Sequence, residues 1–141
     1  MFYLEYGDII PGKGIGKLRL GMSRAQVEET IKEYTVDARC ATDVLMCGDV
    51  QIWVHKEKDA VTQILVEGSF KGKFAGIIGI GSTLSDVQNL LHLEWYDDLD
   101  ATHLKGVPGI CFELVDTDDE YDWDELTAPI EYISVFSEQG Y

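Results

Sequence analysis

Apolar residues recur at helical spacing in two stretches of the chain, and each stretch follows a residue that can cap a helix. Ser23 stands three residues before Gln26, which is the spacing of a capping box. Thr83 stands the same distance before Asp86. The apolar residues behind the two caps are Val27, Ile31 and Tyr34 in the first stretch and Leu84, Val87, Leu90 and Leu91 in the second. This pattern predicts two helices, each packing through one apolar face.

A pair of strands is predicted after each of these helices in the sequence. Apolar residues alternate with their neighbours in two sets, Val50, Ile52 and Val54, and Ile110, Phe112 and Leu114. Such alternation is typical of half-buried strands. A second strand is predicted after each of them, over residues 61–67 and 130–136.

The predicted elements repeat along the chain. A shift of 60 positions superposes five identical pairs: Gly12 and Gly72, Lys13 and Lys73, Gly16 and Gly76, Gly21 and Gly81, and Val27 and Val87. In the last strand of each copy, Ile64 corresponds to Ile133, a shift of 69. The second copy therefore carries nine extra residues (69 minus 60), and they fall within residues 116–127. This self-similarity indicates an internal duplication.

We therefore predict an α+β fold of two pseudo-symmetric β-α-β-β-like repeats, which form one antiparallel sheet with the helices packed on one face. Residues 1–141 form a single domain, since a chain of this length buries one core. Repeat 1 spans about residues 1–69 and repeat 2 about residues 70–141, with the linker near residues 68–72.

The formal charge of −15 is unevenly distributed. Residues 1–70 hold 11 acids and 8 bases, a net charge of −3, whereas residues 71–141 hold 15 acids and 3 bases, a net charge of −12. The negative electrostatic field of this charge disfavours nucleic-acid binding and favours a basic protein partner. Alternatively, the charge serves solubility alone.

The sequence also predicts a cytoplasmic protein without membrane contact. Its three cysteines are an odd set without a pairing motif, which suits a reducing compartment. Residues 1–8 lack the basic flank and apolar run of a secretory signal, and no stretch has the length of a membrane span.

The glycine-rich stretch resembles a known group of proteins. Its residues are Ile10-Pro11-Gly12-Lys13-Gly14-Ile15-Gly16, then Leu18, Leu20-Gly21-Met22-Ser23 and Val27. They resemble small bacterial immunity proteins that accompany polymorphic toxins, including those of contact-dependent growth inhibition. A similar helix start occurs in the outer-membrane assembly lipoprotein BamE, and tandem copies resemble β-lactamase inhibitor proteins. Because the matching residues are structural glycines and caps, the resemblance implies a fold and a toxin-binding role but no particular site residue.

No motif supports catalysis or a cofactor. The run Gly12–Lys17 is too short for a phosphate-binding loop, and Leu18 stands where Ser or Thr would ligate magnesium. In the acidic segment, Tyr121 occupies the place of the glycine of a calcium loop. His55, His92 and His103 are expected on a strand, a helix end and a loop, without metal-ligand spacing. We expect no enzyme, no cofactor and no metal site.

Two surfaces are candidates for binding a protein partner. One is acidic and aromatic, and its residues are Asp97, Asp98, Asp100, Asp116, Asp118, Asp119, Glu120, Tyr121, Asp122, Trp123, Asp124 and Glu125. The other is the face of the sheet without helices, where alternation places Trp53, Leu65, Tyr132 and Phe136. Alternatively, a loop over residues 97–107 covers that face.

These observations favour an immunity protein that neutralises the C-terminal domain of a cognate toxin, a basic nuclease such as an RNase or tRNase, by blocking its active or substrate-binding surface. The alternatives are a non-catalytic assembly module of BamE type and an enzyme with an unrecognised carboxylate site.

Overall fold

The structure, a computed structural model, describes residues 8–98, 101–115 and 124–137. Eleven strands and two short helices are formed in this part of the chain. The elements are β1 (Ile9–Ile10), β2 (Gly14–Ile15), β3 (Leu18–Arg19), α1 (Arg24–Thr30), β4 (Thr35–Ala38), β5 (Thr42–Cys47), β6 (Val50–His55), β7 (Ala60–Glu67), α2 (Leu84–Asp86), β8 (Trp95–Asp98), β9 (Ala101–Leu104), β10 (Val107–Leu114) and β11 (Ile130–Phe136). The fold is mostly β.

One eight-stranded sheet dominates the structure, and β1 to β3 form a separate small sheet. The strand order in the large sheet is β4-β5-β6-β7-β11-β10-β9-β8, and every neighbouring pair is antiparallel. Strands β4 to β7 therefore occupy one half of the sheet and β8 to β11 the other. The halves meet where β7 pairs with β11, with Ile64 opposite Val135 and Val66 opposite Ile133.

Both predicted capping boxes are confirmed. The Ser23 hydroxyl accepts a hydrogen bond from the Gln26 backbone N–H at 3.2 Å, and the Gln26 side chain accepts one from the Ser23 N–H at 2.9 Å. Thr83 and Asp86 repeat this exchange at 3.2 and 3.0 Å. The caps satisfy backbone donors that have no partner inside the helix, and they fix where each helix begins.

The predicted helical stripes are only partly correct. Helix α1 ends at Thr30, so Tyr34 lies beyond it. Helix α2 is followed by a π-helical turn over Val87–Leu91, which ends at His92 in the left-handed conformation. A π-turn holds more residues per turn than an α-helix, so the predicted spacing does not persist. Leu84 and Val87 are buried, but Leu90 is 56% exposed, and its prediction as a core residue is wrong.

The core contains the apolar side chains of one face of the large sheet. Ile52, Ile64, Phe112 and Ile133 are fully buried there, and the alternation predicted for β6 and β10 is confirmed. The same buried cluster includes residues from outside the large sheet: Ile15, Leu18, Val27, Ile31, Ile78, Leu84 and Val87. Burial of this apolar surface is the main driving force for the fold.

Four strands of the large sheet were not predicted from the sequence: β4, β5, β8 and β9. The stretch 97–107, considered as a loop over the sheet, instead contains the end of β8 and all of β9. His103 consequently lies on a strand, not on a loop. The outermost strands, β4 and β8, are each four residues long and expose most of their side chains. Such strands lack the clear apolar alternation on which the prediction depends.

Gly109 is expected to be essential for stability. Its φ is +85°, and a Cβ there would lie within 3.0 Å of the backbone N and Cα of Gly12 and of the carbonyl oxygen of Phe136. Gly109→Ala should therefore lower the free energy of unfolding by at least about 2 kcal/mol more than Gly48→Ala. Gly48 also has positive φ, +59°, but its Cβ would meet nothing within 4 Å, so its substitution costs only about 1 kcal/mol of backbone strain. Urea unfolding of both variants measures the difference, and equal losses would contradict the prediction.

Candidate functional site

One face of the large sheet points away from the buried cluster, and we call it the outer face. A row of facing residues crosses all eight strands on it: Tyr96, His103, Cys111, Ser134, Leu65, Gln51, Met46 and Thr35. A second row contains Phe136, Gln63, Trp53, Val44 and Asp37, and a third contains Glu113, Tyr132 and Glu67. Residues that face one another across antiparallel strands share a face, so these rows define one surface.

An aromatic cluster lies on the outer face in the second half of the chain. The rings of Tyr96 and His103 are stacked, with centroids 5.3 Å apart. Phe136 meets His103 edge-on at 6.2 Å. The Tyr96 side chain is 48% exposed, so the cluster ends at the surface instead of being covered by other described residues. Rigid aromatic side chains of this kind often anchor protein interfaces.

Trp53 forms a second aromatic position in the first half of the sheet. The guanidinium of Arg39 lies 4.6 Å from its ring centroid, at cation–π distance, and also forms an ion pair with Asp37 at 3.0 Å. The Trp53 Nε1 is buried and has no hydrogen-bond partner among the described residues. Val44 and Leu65, its neighbours on the outer face, are almost completely buried. The outer face is therefore substantially apolar around Trp53.

Carboxylates surround Tyr132 at one end of the outer face. The charge of Glu131 is the main cause of the raised pKa of the Tyr132 hydroxyl, and burial and the charges of Glu67 and Glu113 raise it further. The Glu67 carboxylate accepts a hydrogen bond from the Gln51 side-chain amide at 2.9 Å. Within the described ranges, none of the three glutamates forms an ion pair. Among the described residues, no ion pair therefore neutralises their negative charge.

The residues predicted for the acidic surface do not form one cluster with Trp53. Asp97 and Asp98 lie on β8, the edge strand, and are exposed. Trp53, on β6, lies five strands away in the sheet order, or about 24 Å at the usual strand spacing. Eight further residues predicted for the acidic surface lie outside the described residues: Asp100, Asp116, Asp118, Asp119, Glu120, Tyr121, Asp122 and Trp123.

Asp124 and Glu125 are held by contacts within the chain. One Asp124 carboxylate oxygen accepts hydrogen bonds from the backbone N–H groups of Leu126 and Thr127, at 2.9 and 3.1 Å, and closes a turn. The Glu125 carboxylate accepts a hydrogen bond from the Trp95 indole at 2.8 Å. This turn is thereby fixed beside β8.

Sequence reasoning missed Tyr96 and His103 because it missed strands β8 and β9, and it did not single out Cys111, although Cys111 lies on the predicted strand β10. A signal was present: the adjacent aromatic residues Trp95 and Tyr96 favour a strand. In the structure Trp95 packs against the core, while Tyr96 lies on the outer face. Alternation from this aromatic pair would have found the cluster.

Cys111 faces His103 across neighbouring strands, which places a thiol beside a potential base. Burial, helped by the charge of Glu113, raises the pKa of the Cys111 thiol to about 11. Because the thiolate is the reactive form, this environment keeps the thiol inert near neutral pH. In the described part of the chain, no three His, Cys, Asp or Glu side chains come together as a metal site.

A groove of about 340 Å³ lies beside Trp95, lined also by Gln88, His92, Leu93, Glu94 and Lys105. The carboxylate of Glu94 lies 3.8 Å from the ammonium of Lys105, a distance typical of a surface ion pair. The groove thus contains no pair of convergent carboxylates among its lining residues.

Comparison of the chain with protein-family models, with curated proteins and with solved structures finds no match. Over the described residues, no helix is both long enough and apolar enough to cross a membrane.

The raised pKa of Cys111 predicts selective thiol labelling. At pH 8 only about one Cys111 side chain in a thousand should be a thiolate, so iodoacetamide should modify the exposed Cys40 first. As the pH rises towards 11, the Cys111 thiol loses its proton and its labelling should accelerate. Peptide mass spectrometry of the folded protein measures both rates, with the urea-unfolded chain as control. Equal rates for Cys40 and Cys111 at pH 8 would contradict this assignment.

Proposed function

We propose that this chain is an immunity protein that binds the C-terminal domain of a cognate toxin, a basic nuclease, and blocks its active or substrate-binding surface. The observation that carries the proposal is the outer face, where aromatic side chains lie on a broad sheet with unpaired carboxylates at one end. Aromatic anchors flanked by charge are typical of tight protein interfaces.

The distribution of charge supports a basic partner. Residues 71–141 carry 15 acids and only 3 bases, and their strands β8 to β11 form half of the outer face. Such a field attracts a basic protein over long distances and accelerates its association. The phosphate-binding surface of a nuclease is basic, so an acidic surface competes with its substrate.

We also propose that the scaffold arose by duplication and consists of two pseudo-symmetric repeats with helices on one face of the sheet. Matching backbone hydrogen bonds support this. The Gly21 N–H donates to Val61, whose N–H donates to Met22. In the second half, the Gly81 N–H donates to Ile130, whose N–H donates to Ser82. The mirrored order of strands β4 to β7 and β8 to β11 has the same origin in this proposal.

The proposed location is the cytoplasm, where an immunity protein meets an incoming nuclease. The three cysteines support a reducing compartment, because none of Cys40, Cys47 and Cys111 forms a disulfide.

The proposal predicts that the outer face determines toxin binding. Tyr96→Ala and Tyr132→Ala should each weaken binding of the toxin domain encoded beside this gene by about 2 kcal/mol, roughly 30-fold, because each removes an aromatic anchor. Leu90→Ala is the control, since Leu90 is also a large exposed side chain but lies in the π-helical turn, outside the outer face. Calorimetric titration measures the affinities. Cells that express the toxin show protection if the chain is its immunity protein, and failure of the wild-type chain to protect them would reject the function.

Charge reversal separates the two candidate surfaces. Glu67→Lys combined with Glu113→Lys should slow association at low salt by at least about tenfold, whereas Glu29→Lys on α1 should change it little. Reversal of acids in the segment 116–125 tests the alternative contact. If that reversal abolishes binding and the outer-face variants retain it, the immunity role stands but the outer face is not the contact surface.

A further inference from the structure

The two edge strands of the large sheet differ in what they present. Strand β8 carries two exposed aspartates, Asp97 and Asp98, and the turn at Glu125 is hydrogen-bonded to its first residue, Trp95. Charged side chains of this kind discourage pairing at a sheet edge. Strand β4 has the sequence Thr-Val-Asp-Ala, and its one charge, Asp37, is already paired with Arg39. The β4 edge is therefore much less protected against another strand.

The hydrogen-bonding groups at the β4 edge can be assigned from its register. The Arg39 N–H donates to the carbonyl of Thr42 at 3.0 Å, so Arg39 and Thr42 form a hydrogen-bonded pair. Such pairs alternate along antiparallel strands, so Asp37 and Thr35 also direct their backbone groups towards β5. Val36 and Ala38 then direct their N–H and C=O groups outward, where no described residue meets them.

We infer that β4 pairs with β4 of a second copy of this chain, antiparallel and about a two-fold axis at Val36. In this register the two Val36 residues exchange both backbone hydrogen bonds. Ala38 of each copy faces Tyr34 of the other, the residue immediately before β4. The outward donor and acceptor of each Val36 are therefore both satisfied by the second copy. The Val36 side chain, which is 42% exposed, gains an apolar contact with its copy.

Charge selects this register and this edge. An axis at Asp37 would place two carboxylates directly opposite each other, which is destabilising, whereas the axis at Val36 places Thr35 opposite Asp37. Pairing through β8 would bring together the halves of net charge −12. Pairing through β4 joins the halves of net charge −3 and keeps the strongly acidic halves far apart.

The dimer has a defined geometry. A two-fold axis between antiparallel edge strands is perpendicular to the sheet, so the eight strands of each copy join into one sheet and both outer faces point to the same side. The dimer does not depend on the proposed toxin-binding role, and its test needs no toxin.

Proline at position 36 tests the pairing without disturbing the monomer. Because the Val36 N–H points outward, Val36→Pro removes a bond to the second copy but none to β5. Sedimentation equilibrium from micromolar to millimolar concentration should show reversible dimerisation of the wild type, weakened at least about tenfold by Val36→Pro. Val36→Thr keeps the N–H and the β-branched shape and should dimerise like the wild type.

Hydrogen exchange supplies a second readout that does not depend on a variant that folds. The Val36 amide of the wild type should become protected as concentration rises, whereas the Asp37 amide, bonded to β5, should be protected at all concentrations. Higher salt should strengthen the dimer by screening the net charge of −15 on each copy. A wild-type chain that stays monomeric throughout, or a dimer in which Val36 exchanges as in the monomer, would overturn the inference.

Discussion

The pairing of β7 with β11 is the contact on which the rest of the structure depends, because it joins the two four-stranded halves into one sheet. Ile64, Val66, Ile133 and Val135 face one another across this junction and are all fully buried. Their burial commits one face of the sheet to the core, and strict alternation then commits the intervening residues to the outer face. Both the core and the candidate site therefore follow from a single register.

This dependence explains which parts of the fold the sequence predicts. Strands β6, β7, β10 and β11 lie near the junction: burial alternates strictly along β6, and β7 and β11 each hold a run of three buried residues. The capping boxes depend on local chemistry alone. Apolar and polar residues do not alternate clearly along the short edge strands β4 and β8. Their formation depends on pairing with a neighbouring strand, which no local sequence pattern indicates. The π-helical turn could not be predicted either, because the spacing of its apolar residues does not distinguish it from an α-helix. The exposure of Leu90 is determined by the tertiary structure.

The residues of the candidate site likewise differ in whether the sequence could predict them. Trp53, Tyr132 and Phe136 could be assigned to the outer face because they lie on well-predicted strands next to buried residues. Tyr96 and His103 could not, since their strands were not recognised, although their stacking gives the outer face its aromatic cluster. The acidic residues were found by composition, which counts charges but does not place them. Composition could therefore not show that Asp124 and Glu125 are engaged in contacts of their own turn.

In the proposed function, the charge concentrated in residues 71–141 serves binding at a cost in stability. The fifteen acids in residues 71–141 outnumber the three bases there, and the mutual repulsion of the excess negative charges opposes compaction. Solubility alone would be served equally by charge spread over both halves. In the first half, by contrast, Arg24 and Lys56 both pair with Asp43, so charge there is largely compensated. In the proposed function, the glutamates around the half-buried Tyr132, which form no ion pair with other described residues, gain a favourable partner when a basic surface covers them.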